Sequence, residues 1–121
     1  MIYHIVKRDA WHEAQRRGIY RPASLAAEGF IHCSTRAQIL SVANDFYRGQ
    51  ADLLLLSIDE CRLKSELRWE TPAHPQPESA ALTLSEASFP HLYGPLNPDA
   101  VVEILALVET DDGYTFPDDL P

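Results

Sequence analysis

The chain has 121 residues, 45% of them hydrophobic, and 10 Lys and Arg against 18 Asp and Glu, a net charge of -8. That length and composition suit one domain, residues 1–121, with a core large enough to need no disulfide scaffold. The charge disfavours nucleic acid as a partner, no apolar run reaches the roughly 20 residues that span a bilayer, and the N-terminus lacks a signal peptide's basic-then-apolar order, so a cytoplasmic protein with neither membrane nor nucleic-acid partner is expected.

The opening "MIYHIV" predicts a strand with Ile2, His4 and Val6 on one face and Tyr3 and Ile5 on the other. A short helix follows from Asp9, a candidate N-cap, with Trp11 and Ala14 inward, Arg16 and Arg17 in its last turn and a stop at Gly18. After a loop and the turn "ASLAAEG", "FIHC" predicts a strand on which Phe30, His32 and Ser34 share one face and Ile31 and Cys33 the other.

The clearest helix is "STRAQILSVANDFYRGQ", with Ile39, Val42, Ala43 and Phe46 at i, i+3, i+4 and i+7, and Thr35 and Gln38 at the spacing of a capping box. "DLLLLSI" reads as a central strand buried on both faces, and "DECRLKSE" as a helical turn. In "LRWET", alternation sets Leu67 and a core-facing Trp69 against Arg68 and Glu70. "TPAHPQPESA" must loop, with His74 solvated, and "VVEILALVE" is a last strand before an acidic tail over residues 110–121. Strands and helices alternate early and strands dominate late, which predicts an α+β domain built on a curved mixed sheet with two or three short flanking helices.

Chemistry concentrates in two stretches. "EGFIHCST" places a histidine inside a strand, and "SFPHLYGPLNP" holds His91 and Tyr93 between Pro90, Pro95 and Pro98, which restrict the backbone. The second stretch reads either as a Pro-rich crossing loop that covers the sheet end or as the preorganised wall of a pocket shared with His4 and His32. Cys33 and Cys61 have no CxxC spacing and fit reduced structural thiols; Cys33, beside His32 on a strand, points to the opposite face. No dinucleotide fingerprint, phosphate-binding loop or HExxH is present. A metal site from His4, His32 and His91 has little support from spacing, and no metal is expected.

The ordered combination "YHI", "EGFIHCST", "LRWE" and "FPHLYGPL" resembles the domain of unknown function 952 family, over nearly the whole chain. That family in turn is similar to a minimal ADP-ribosyltransferase fold, and the "IH" of "GFIHCS" is similar to the His-Ile-His strand of RNA 2'-phosphotransferases, which use the same cofactor. The resemblance implies NAD as cofactor, an N-glycosidic bond as the point of attack, and His4 and His32 as the residues that grip ribose. Ser34 lies two residues beyond His32, roughly 7 Å along the strand, within reach of the same ligand. Tyr20 and Tyr93 are then candidate stacking rings, His91 a further cofactor contact, and Glu70 the carboxylate. The plain alternatives are that Glu70 pairs with Arg68 on the surface and that Glu103, a second carboxylate candidate, sits at the sheet end. A phosphorylated RNA substrate is disfavoured, because only Arg21 and Arg36 lie near the expected pocket in sequence.

Two functions remain open: an ADP-ribosyltransferase-like transferase with His4, His32 and Glu70 at its chemical centre, or a non-catalytic small-ligand-binding or interaction module with the same cleft. A carboxylate on the same wall as the two histidines discriminates between them.

Overall fold

The computed structural model describes residues 1–71, 88–111, 113 and 114. Strand β1 (Ile2–Lys7) leads into helix α1 (Arg8–Arg17), α2 (Ala23–Glu28) and the short β2 (Ile31–His32). Helix α3 (Arg36–Phe46), β3 (Leu53–Ile58) and β4 (Glu66–Glu70) follow, then β5 (Phe89–Tyr93), β6 (Val101–Ala106), β7 (Glu109–Thr110) and β8 (Gly113–Tyr114).

The α+β class holds, but the expected single mixed sheet does not. Two three-stranded sheets, ordered β1-β3-β6 and β2-β5-β4, form instead, and every strand pairing among the described residues is antiparallel. A single bridge between Tyr3 and Ser34 links them, with both N–H to carbonyl bonds at 2.8 Å. Only β4 with β5 and β7 with β8 pair strands consecutive in the chain; β1 with β3, β2 with β5 and β3 with β6 are joined by longer connections.

β3 is buried at all six positions, as its continuous apolar run requires, because it is central and covered on both sides. Its even-numbered leucines, with Ile58, pack on Ile2, Val6, Trp11, Tyr20, Ile31 and Leu92. The odd-numbered leucines pack on Tyr3, Ile5, Ile39, Ala43 and Tyr114. Tyr114 lies within the stretch read as a tail, and its hydroxyl donates to the carbonyls of Tyr47 (2.7 Å) and Gln50 (3.0 Å). The region around His74 and residues 115–121 lies outside the described residues.

α3 begins with the expected capping box: the Thr35 side chain accepts from the Gln38 backbone, and the Gln38 side chain accepts from the Thr35 N–H. The apolar stripe is narrower than its spacing predicts. Phe46 is exposed, while Gln38 is buried and donates to the Ser88 carbonyl at 2.7 Å, tying the helix to the start of β5. α1 starts one residue before the expected cap, so Asp9 sits in the first turn, where its charge favours the helix dipole without capping it.

Two corrections bear on the site. "FPHLY" is the central strand of the second sheet and not a crossing loop, despite Pro90. The Pro90 carbonyl accepts from Cys33 N–H at 3.1 Å, so its nitrogen faces the same side, just past the last β2 pair, where no ladder bond is required. Trp69 is 49% exposed, because β4 is an edge strand and Trp69 lies beyond the reach of the core that takes in Leu67.

Candidate functional site

The register of β2, β5 and β4 sets three basic side chains in one row. His32 stands opposite His91, and His91 opposite Arg68. Directly opposed residues in antiparallel strands share a face, so these three project outward, with Tyr93 opposite Glu66 on one neighbouring row and Phe89 opposite Glu70 on another. Ile31, Leu92 and Leu67, one residue out of phase, project inward and pack in the core.

Each basic group of the row has its own carboxylate. The Nε2–H of His32 donates to Glu28 Oε2 at 2.8 Å, and the Nδ1–H of His91 donates to Glu70 Oε1 at 2.9 Å. Arg68 binds Glu66 through two nitrogens, at 2.9 and 3.2 Å. The Glu28 contact depends on Gly29, whose φ of +88° ends α2 and turns the chain so that the last helical residue meets the imidazole four positions on. Such carboxylates fix the orientation of the ring they hold.

Glu70 is the most heavily engaged group of the face. Its Oε1 also accepts the Tyr93 hydroxyl, and the bonds from Tyr93 and His91 hold its carboxyl below the usual carboxylate range. Both bonds fall on the same oxygen, Oε1. Tyr93 is raised correspondingly, because the hydrogen bond to Glu70 holds its proton, and the Arg68 guanidinium lies 4.5 Å from the centre of its ring.

Phe30 organises the rings. It stacks on His91 with centroids 4.1 Å apart and planes at 22°, and it tilts against His32 at 4.7 Å and Tyr93 at 5.3 Å. His91 is consequently buried, 3% exposed, while His32 keeps 38% of its side-chain surface. His91, expected as a cofactor contact, is covered by the Phe30 ring and bonded to Glu70.

His4 is elsewhere. Its Nδ1–H donates to the main-chain carbonyl of His32 at 2.6 Å, and its Nε2 accepts the Tyr20 hydroxyl at 2.8 Å, an assignment forced because a carbonyl can only accept. It lies on the core side of β2, where burial drives its pKa down to about 4 and keeps it neutral. His4 and His32 meet through the hydrogen bond to the His32 carbonyl, and the charge of His32 adds, after burial, to the lowering of the His4 pKa. Tyr20 is buried with its ring edge toward Trp11 at 6.1 Å, placed as a core residue and not as an open stacking ring. Ser34, 4% exposed, is the bridge to Tyr3 and belongs to the seam between sheets.

Glu70 does not pair with Arg68, which is taken by Glu66, and Glu103 stands opposite Ser57 on the first sheet. Of the residues singled out in the sequence, His32, Glu70, His91 and Tyr93 come together. Glu28, Phe30 and Arg68 complete them and carry weaker signals: Glu28 precedes His32 by four residues across a helix-to-strand junction, and Phe30 and Arg68 merely share strand parity with His32 and Glu70. Among the described residues no cluster of three or more His, Cys, Asp or Glu is arranged to hold a metal ion.

The model of the family described as protein of unknown function, DUF952, matches residues 5–104. Among solved structures, the crystal structure of protein CC0527 from Caulobacter crescentus is similar, with 34% sequence identity and a TM-score of 0.76 over 93% of this chain and 90% of that one. Its solution NMR structure is similar at 34% identity and a TM-score of 0.72, over 93% of this chain and 89% of that one. No curated protein matches.

Proposed function

The chain belongs to the DUF952 family, and for it we propose a site on the outer face of the β2-β5-β4 sheet that binds a nucleotide of the NAD type and acts on its N-glycosidic bond. The observation that carries the reading is Glu70: a carboxylate held ionised by Tyr93 and His91, on the same sheet face as the half-exposed His32.

The chemistry follows from those groups. When the C1'–N bond of a nicotinamide riboside breaks, the electron pair leaves with the pyridine nitrogen, which becomes neutral, and positive charge spreads over C1' and the ring oxygen. A fixed carboxylate beside that carbon stabilises the charge as it forms. Water or another hydroxyl then bonds to C1' and loses its proton, with the His32 imidazole, on the same face, as the acceptor. His91 and Tyr93 position Glu70, and the Tyr93 ring, backed by Arg68, offers an aromatic surface for a planar base.

The test is nicotinamide release from NAD by the purified protein, followed chromatographically. The reading predicts release that falls about a hundredfold in Glu70→Gln, the scale of losing one charge-stabilising group. Release unchanged in Glu70→Gln overturns the assignment of that residue. Binding of NAD without release assigns the face to a non-catalytic ligand-binding module.

A further inference from the structure

We propose that the groove between helix α1 and the segment leading into α2 is a second ligand site, built for a small phosphate monoester. The groove has a volume of about 320 Å³, at the lower end of the range for small-molecule sites. Ala10, Ala14, Ile19 and Pro22 give it apolar walls, and Arg17, Arg21 and Glu13 supply its charges. Two guanidiniums against one carboxylate leave it one net positive charge on a chain whose total is -8.

The distribution of that charge points to an anion. Glu13 is committed to Arg16 and Arg17 of its own helix, with Arg17 bonded through Nε at 2.5 Å, so the terminal nitrogens of Arg17 stay outside that bond. Arg21 is exposed and has no carboxylate partner among the described residues, unlike Arg48, Arg62 and Arg68, each of which is paired. A planar guanidinium fork takes two oxygens of a phosphate at once, and two forks at one apolar groove match an anionic head on a compact body.

The location makes the site distinct from the outer face of the second sheet. Tyr20 lines the groove, and its hydroxyl donates to His4, but His32, Arg68, Glu70, His91 and Tyr93 are not among the lining residues. The proposal therefore does not depend on the nucleotide reading of that outer face.

Titration of the 15N-labelled protein with ribose 5-phosphate, which has no N-glycosidic bond, tests it, with ribose and inorganic phosphate as separate controls. Saturable shifts at Ile19, Arg21 and Ala23 and at the Trp11 indole N–H, stronger with ribose 5-phosphate than with either control, are expected. Arg21→Gln, at an exposed position, should weaken binding by at least about tenfold. Glu70→Gln should leave it unchanged. No saturable shift at millimolar ribose 5-phosphate, equal binding in Arg21→Gln, or shifts confined to His32 and Glu70 would overturn the proposal.

Discussion

His4 and His32 are joined by one hydrogen bond, from the His4 ring to the His32 main-chain carbonyl, yet their circumstances differ completely. His4 faces the core, neutral, with both ring nitrogens bonded to protein and its pKa driven down to about 4 by burial. His32 faces outward with one nitrogen held by Glu28 and much of its ring in solvent. The contrast extends along the sheet: Ile31, Leu92 and Leu67 pack inward, while His91, Arg68, Tyr93 and Glu70 form a polar face whose groups are paired one by one. A histidine inside an apolar strand is thus informative only when its parity and partners are known, since one residue of register moves a side chain from core to surface.

The sharpest way to break this comparison is to exchange the two roles by mutation. His4→Ala removes a buried ring and leaves the Tyr20 hydroxyl and the His32 carbonyl without that partner, which should lower unfolding free energy by about 3 kcal/mol in urea titrations. His32→Ala should leave the urea midpoint nearly unchanged. Equal losses in the two variants would erase the distinction between core and face.

Acidification sharpens the contrast further. The unfolded chain binds a proton at His4 near 6.5 and the folded chain only near 4, so between those values the unfolded state carries more protons and stability falls as pH falls. The loss reaches about 3 kcal/mol at pH 4 and is absent above pH 7. In His4→Gln this component of the pH dependence should disappear, as measured by urea midpoints between pH 4 and 7.

A smaller effect is expected where β2 hands over to α3. Thr35→Ala removes the hydroxyl of the capping box and should cost about 1 kcal/mol by thermal or urea unfolding, with the site face unaltered. The smallest effect on the fold is expected from Trp69→Thr: Trp69 is exposed on an edge strand, and its replacement should stay within about 0.5 kcal/mol of the parent.

Local rules made much of this fold legible. The β3 run, the α3 capping box, the Gly18 stop and the strand parities of His32, Arg68 and Glu70 all follow from nearest-neighbour chemistry, and they stand in the structure as read, whereas "ASLAAEG", read as a turn, forms helix α2 up to Gly29. Pairing between distant segments did not follow. That β5 is central could not be read from "FPHLY", because the permission for Pro90 comes from where β2 ends, a fact of the partner strand. Trp69 misled for the same reason: alternation gives the face of a residue but not whether anything covers it. His4 and His32 were expected to share a ligand because the family resemblance implies it, and spacing did not foretell that the His4 ring bonds the His32 main-chain carbonyl and the Tyr20 hydroxyl. Glu28 was missed because its contact crosses the junction at Gly29, where neither helical nor strand periodicity applies.

The most direct test of the account is a titration of the 15N-labelled protein with NAD and ADP-ribose, read residue by residue. The account predicts saturable shifts at His32, Arg68, Glu70 and Tyr93, abolished by His32→Ala with the rest of the spectrum intact. Shifts absent at millimolar ligand, or a response centred on the core side at His4 while the outer face stays silent, would contradict it.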